Sequence, residues 1–92
     1  MKIVWDEPKR RANLDKHGLD FADLNETFFD SALVLPTYNK RWAGIGKSIS
    51  GVIVVVFVKL GVEGVSVISM RPASKNERRL YAKRQKEGLQ RS

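Results

Sequence analysis

The 92-residue chain has no cysteine and a single histidine. Without cysteine there is no disulfide framework, no thiolate metal site and no cysteine nucleophile, and a reducing compartment is the natural setting. A chain this short without bridges folds on its apolar core or leans on a partner. Long hydrophobic runs are lacking too. The longest, Val52 to Val58, is seven residues, whereas a membrane helix needs about twenty. The start, Met1 to Pro8, meets charge before a signal-peptide apolar region forms, so no targeting segment and a soluble, cytoplasmic protein are expected. The carboxylates show no His-rich or paired metal-ligand spacing, so neither a dedicated metal site nor a cofactor is expected. Gly44-Ile45-Gly46-Lys47-Ser48 echoes a phosphate loop, but it lacks the G-x-x-x-x-G-K-[ST] spacing and leads to a strand.

Acidic residues are scarce where basic ones gather. Lys plus Arg is 17 against 10 Asp plus Glu, a net charge of +7. From Arg71 to Ser92 the eight basic residues face only Glu77 and Glu87, so this end carries +6 of the total. The segment Asp20 to Asp30 has four acids and no base. A concentrated positive field attracts polyanions and speeds their association. That block points to nucleic acid or an acidic protein partner; the plainer reading is a solvated face.

Lys2 to Trp5 reads as a short strand. Asp6 is a candidate N-cap, Pro8 fits a first turn, and a helix over 7–17 ends at Gly18. A second helix starts after Asp20 and ends at Asp30-Ser31, with Phe21, Leu24 and Phe28 as one buried stripe. Strands follow at Ala32–Leu35, Arg41–Ile49, Val52–Leu60 and Val65–Met70, at hairpin spacing that predicts an antiparallel meander. Val52–Leu60 is apolar on both faces, hence central and covered. In the last strand Val65, Val67 and Ser69 share one side, and Ser66, Ile68 and Met70 the other. Ser74-Lys75-Asn76-Glu77 is a capping box that opens a helix running to Glu87, ended by Gly88 before a frayed tail. The order β-α-α-β-β-β-β-α describes one α+β domain spanning 1–92, with two helices against one face of the sheet.

The remaining chemistry is cationic. Arg71, Glu77, Arg78 and Tyr81 join the end of the last strand to the first turns of the last helix, whose N-terminus adds its own positive end. Cleaving RNA without a metal needs a group to take the 2′-hydroxyl proton, cations for the charge gathering on phosphorus, and a donor for the leaving oxygen. The two arginines suit the second need; Glu77, Tyr81 or His17 suit the others. Each has a structural counterpart. Glu77 completes the capping box, and Tyr81 supplies core contact to a helix short of apolar surface. Arg71 and Arg78 could pair with acids, and His17 sits at a helix C-terminus. Trp42, beside Arg41, could stack a base or fill the core.

Three stretches taken together resemble the BrnT family, ribonuclease toxins of type II toxin–antitoxin pairs. They are Trp5-Asp6…Lys9…Asn13…Lys16-His17-Gly18…Phe21…Phe28, then Arg41-Trp42…Gly46, then Ile68-Ser69-Met70-Arg71-Pro72-Ala73…Glu77-Arg78…Tyr81. The resemblance runs in order from Trp5 to about Lys83. It implies a RelE-like fold, a small antiparallel sheet with two N-terminal helices and a C-terminal one. It also implies metal-independent RNA cleavage that arrests translation, and a BrnA-type antitoxin whose complex with the toxin binds DNA and represses its own promoter. It places catalytic candidates at Lys16, His17, Arg41, Arg71, Glu77, Arg78 and Tyr81, beside Lys75, Arg79, Lys83 and Trp42 as RNA-binding positions. Two positions depart from the family pattern. Lys40 stands where an acid commonly precedes the arginine of the middle motif, and Met70 replaces an alanine. The competing expectation is a non-catalytic nucleic-acid or partner-binding module, or a degenerate toxin acting only within a repressor.

Overall fold

The β-branched stretch that reads as a covered strand lies at the middle of a five-stranded sheet. The computed structural model describes residues 1–90, and side chains as far as residue 88. In chain order the elements are β1 (Lys2–Trp5), α1 (Glu7–His17), a 3-10 turn (Phe21–Asp23), α2 (Glu26–Ser31), β2 (Leu33–Pro36), a second 3-10 turn (Tyr38–Lys40), β3 (Trp42–Ser48), β4 (Gly51–Leu60), β5 (Gly64–Pro72) and α3 (Lys75–Gln90). The strands lie in the order β1-β5-β4-β3-β2. β2 through β5 pair antiparallel, as the hairpin spacing predicts, but β1 pairs parallel with β5, from Lys2 opposite Gly64 to Trp5 opposite Val67. Hairpin spacing constrains only strands joined by short turns, and β1 is separated from its partner by most of the chain.

Alternation along β4 divides the core between the two faces. Ile53, Val55 and Phe57 pack with Leu19, Phe21, Phe28, Val65, Val67 and Met70. Val54 points the other way and packs with Ile45, Ala73 and Tyr81. The 3-10 turn and α2 therefore cover one face and α3 the other. On the first face Phe28 presses so closely on β3 that a Cβ on Gly46 would lie 2.6 Å from its ring. That contact accounts for the glycine and turns the phosphate-loop echo into a packing feature.

Four sequence expectations need correction. The second helix is broken: Asp20 accepts from the Ala22 N–H and caps only the 3-10 turn, Leu24 is extended, and Asn25 accepts from the Phe28 N–H to start α2 afresh. Asn25 is a strong N-cap, which favours restarting over continuing. Asp6 occupies the N-cap position of α1, yet its side chain makes no capping hydrogen bond. In β5 a bulge places Val56 opposite Ser69 and Phe57 opposite Val67, leaving Ile68 as the extra residue. The bulge shifts the alternation, so Met70 joins Val65 and Val67 in one cluster instead of facing away. Finally, α3 passes through Gly88 to Gln90. Gly88 is not among the glycines with positive φ, so no left-handed stop forms there; a helical glycine costs only about 1 kcal/mol. The rest of the expected tail, residues 91–92, lies outside the described residues. Gly18, by contrast, ends α1 as expected, at φ 68° with its N–H donated to the Leu14 carbonyl.

Candidate functional site

Register places Arg71 on the α3 side of the sheet. Leu33, Ile45, Val54 and Arg71 lie opposite one another across β2, β3, β4 and β5. The first three meet the α3 side of the core; Arg71, at the end of the row, turns to the start of α3. There the capping box forms as the sequence predicts: the Glu77 N–H donates to Ser74 Oγ at 3.2 Å, and the Ser74 N–H donates to Glu77 Oε1 at 2.8 Å. The same carboxylate takes Arg71 in a two-pronged pair, Nη1 to Oε1 at 2.7 Å and Nη2 to Oε2 at 2.8 Å. Arg71 Nη1 also donates to the Pro72 carbonyl at 3.3 Å.

The pair fixes the charge state of both groups. Hydrogen bonding from Arg71 holds the Glu77 carboxyl down to about 2; partial burial opposes this, and the bonds from Ser74 add to it. Arg71 is pushed above the usual arginine range, chiefly by the hydrogen bond to Glu77. A carboxylate that stable in its ionised form is a poor proton acceptor. Glu77 therefore joins strand to helix and orients the guanidinium. Arginine carries five N–H donors, and three of them are accounted for above. Two remain for a ligand, on a side chain that is 43% exposed.

The other candidates are distributed. Tyr81, one turn beyond Glu77, is 8% exposed and packed with Ile45, Val54 and Ala73, so its ring serves the core. Arg78, Lys75, Arg79 and Lys83 are exposed along α3. Lys16 is exposed and His17 half-buried at the end of α1. Among the described residues no hydrogen bond or ion pair links either of them to the Arg71–Glu77 pair. Arg41 immediately precedes β3 and is exposed. Continuing the β3 alternation puts it on the α3 side, roughly 16 Å from Arg71 by strand geometry. Trp42 faces the opposite side, packed against the Phe57 cluster, with Lys59 Nζ 3.9 Å from its ring centroid. The lysine occupies a position a stacked base would need.

Past the Ile45–Val54 row α3 leaves the sheet open. Val56 and Val58, next along β4 on the same face, are half-buried. This shallow platform has Arg71 near one end and Arg41 near the other. Two deeper depressions lie elsewhere. One of about 400 Å³ lies between Asp20–Ser31 and the β3–β4 turn, and one of about 410 Å³ lies between Asp30–Val34 and Arg84–Gly88; Arg71 and Glu77 line neither. Arg41 lines neither of them.

Composition and spacing gave no sign of Asn13, which is 8% exposed and makes two buried bonds. β1 ends opposite Val67, and beyond it Asn13 Oδ1 takes the Met70 N–H at 3.0 Å while Nδ2 donates to the Leu19 carbonyl at 3.1 Å. It ties α1 to the strand residue just before Arg71. Its place in the first stretch of the family resemblance, Trp5 to Phe28, was the signal the sequence offered.

A family model described as the ribonuclease toxin BrnT of type II toxin–antitoxin systems matches residues 5–77, a span that includes Asn13, Arg41, Arg71 and Glu77. The crystal structure of the Brucella abortus ribonuclease toxin BrnT is 55% identical, with a TM-score of 0.75 over 82% of this chain and 99% of that one. A search of curated proteins gave no match. With the family model covering most of its length and a solved member at this identity, the chain belongs to the BrnT family of ribonuclease toxins of type II toxin–antitoxin systems.

Proposed function

We propose that the chain cleaves RNA without a metal, as a single toxin domain, on the open sheet surface between Arg71 and Arg41. The observation that carries this reading is the Arg71–Glu77 pair. Glu77 holds a guanidinium at the mouth of α3 with two donors free, beside exposed Arg78 and the helix N-terminus. Such donors match the charge that gathers on phosphorus in the transition state. Glu77 is a positioning residue here, and Tyr81 chiefly supports the helix. Lys16, His17, Arg41 and Arg78 remain the candidates that could touch RNA or shuttle a proton, with Lys75, Arg79 and Lys83 as phosphate contacts along α3. Among the described residues no group of three or more His, Asp or Glu is placed to hold an ion.

A type II toxin has an antitoxin partner. We propose a BrnA-type protein that covers the basic α3 surface with acidic or apolar groups, the complex repressing its own promoter through the antitoxin's DNA-binding part. Arrest of translation in the cytoplasm and kinship with RelE-like folds belong to the same reading. Among the described residues no helix is long and apolar enough to cross a membrane.

Two observations favour the second reading, a toxin acting only within a repressor: both Glu77 oxygens accept hydrogen bonds within the protein, and Tyr81 is core. The test is direct. Purified chain should cut single-stranded RNA in excess EDTA and slow a translation extract. RNA left intact both alone and with ribosomes would favour the repressor-only reading.

A further inference from the structure

Between Asp30 and Glu63 the chain has no acidic residue and four cations, Lys40, Arg41, Lys47 and Lys59. Two of these cations sit on the turn between β2 and β3, which also carries the most exposed aromatic ring of the protein's described residues: Tyr38 is 85% exposed. The turn is tightly built. The Thr37 N–H donates to the Arg41 carbonyl at 2.9 Å, and the Arg41 N–H to the Tyr38 carbonyl at 3.0 Å. Closing it forces Asn39 and Lys40 into successive left-handed conformations, at φ 57° and 60°. Asparagine tolerates this; lysine does so at a cost that glycine would avoid. The turn therefore presents lysine at the expense of strain, and strain of this kind clusters at binding sites.

Neither Lys40 nor Arg41 has an ion-pair partner among the described residues, whereas Arg71 is tied to Glu77. Trp42, the aromatic whose place beside Arg41 suggests stacking, is half-buried against the core cluster and carries Lys59. Tyr38 has no such cover.

We propose that the Tyr38–Arg41 turn is a second RNA-binding subsite, in which Tyr38 stacks one unpaired base and Lys40, with Arg41, holds the adjoining phosphates. An exposed ring flanked by unpaired cations is the arrangement that grips single strands without reading sequence. Arg41, its residue nearest the sheet, lies roughly 16 Å from Arg71 by strand geometry, which makes the turn a grip on the strand flanking the cleaved bond. The inference rests on the ribonuclease reading for its substrate, but its test does not depend on cleavage.

The test measures binding of a fluorescent 2′-O-methyl oligoribonucleotide of about a dozen residues, which lacks the nucleophile for self-cleavage, to the full chain and its variants. Tyr38→Ala should weaken binding about tenfold, and Tyr38→Phe should restore it, since one stacked base is worth about 1–3 kcal/mol. Lys40→Ala should lower the salt dependence of log Kd by about 0.7, the share of one single-strand phosphate. Both side chains are exposed, and folding of the variants is to be checked by circular dichroism. Unchanged affinity in Tyr38→Ala overturns the proposal, as does failure of the unaltered chain to bind. So does a Tyr38→Ala variant that keeps RNA affinity and loses only a protein partner. If the chain binds in a Tyr38-dependent way yet leaves unmodified RNA intact, the subsite stands and the catalytic reading falls.

Discussion

Replacing Glu77 by glutamine separates the anchoring of Arg71 from proton transfer. Glutamine keeps the shape and can still accept from the Ser74 N–H, but loses the charge that grips the guanidinium. A carboxyl held from the ordinary 4.5 down to about 2 corresponds to about 3 kcal/mol of linked stability at neutral pH. Arg71 is 43% exposed, so solvent screening reduces the expected loss to about 1–2 kcal/mol. For a chain of this size that lowers the midpoint of thermal unfolding by roughly 5–10 °C. Because the folded-state value is depressed, the contribution is complete above the unfolded value near 4.5 and is lost as pH falls toward 2. Urea unfolding of the unaltered chain should therefore show stability declining across that window, with the decline reduced in Glu77→Gln. Cleavage should carry no acidic limb from Glu77 between pH 4 and 7. Equal stability of the two proteins at pH 7, with the same decline in acid, would refute the anchoring argument. A rate that falls through pH 4–5 only when Glu77 is present would make it the base after all.

Gly46→Ala should destabilise by about 1–3 kcal/mol in denaturant titration, because the added methyl meets the Phe28 ring at 2.6 Å. Asn13→Leu should cost about 1–3 kcal/mol by leaving the Met70 N–H without its acceptor; hydrogen exchange at that amide should rise, and unchanged protection would contradict the assignment. Arg10 donates to Glu7 at 2.7 Å and to both oxygens of Asp20. These bonds, with the Ala22 N–H bonded first to Asp20, hold both carboxyls below their usual range. Arg10→Ala should raise both titrations, observable by NMR, and loosen the α1 contact with the 3-10 turn.

Local chemistry was legible where a few neighbouring residues decide the outcome. Gly18 ended α1, Ser74 and Glu77 formed their box, and the β-branched run of β4 went to the centre of the sheet. The strand pairing and the β5 face depended on tertiary partners. Nothing near Lys2–Trp5 says that its neighbour is the last strand. The Ile68 bulge, which turns Met70 inward, becomes visible only when β5 is laid against β4. The Phe21–Leu24–Phe28 spacing did mark residues that reach the core, yet Asn25 divides them between two short elements. At the candidate site the grouping of Arg71 with Glu77 was readable from their spacing and the capping box. The two-pronged hydrogen bonding of Arg71 to Glu77 was not, because it depends on the β5 register that turns Arg71 to the start of α3. Asn13, Tyr38 and the Lys59–Trp42 contact acquire meaning only from burial and exposure.

Arg71, held by Glu77, is the residue proposed to act on the scissile phosphodiester. The most direct measurement is single-turnover cleavage of a defined RNA in EDTA by the unaltered chain and by Arg71→Ala, with folding of the variant verified by circular dichroism. A rate about a hundredfold or more lower in the variant is expected, the usual effect of removing one transition-state donor. Cleavage by a folded Arg71→Ala protein at the unaltered rate would contradict the account.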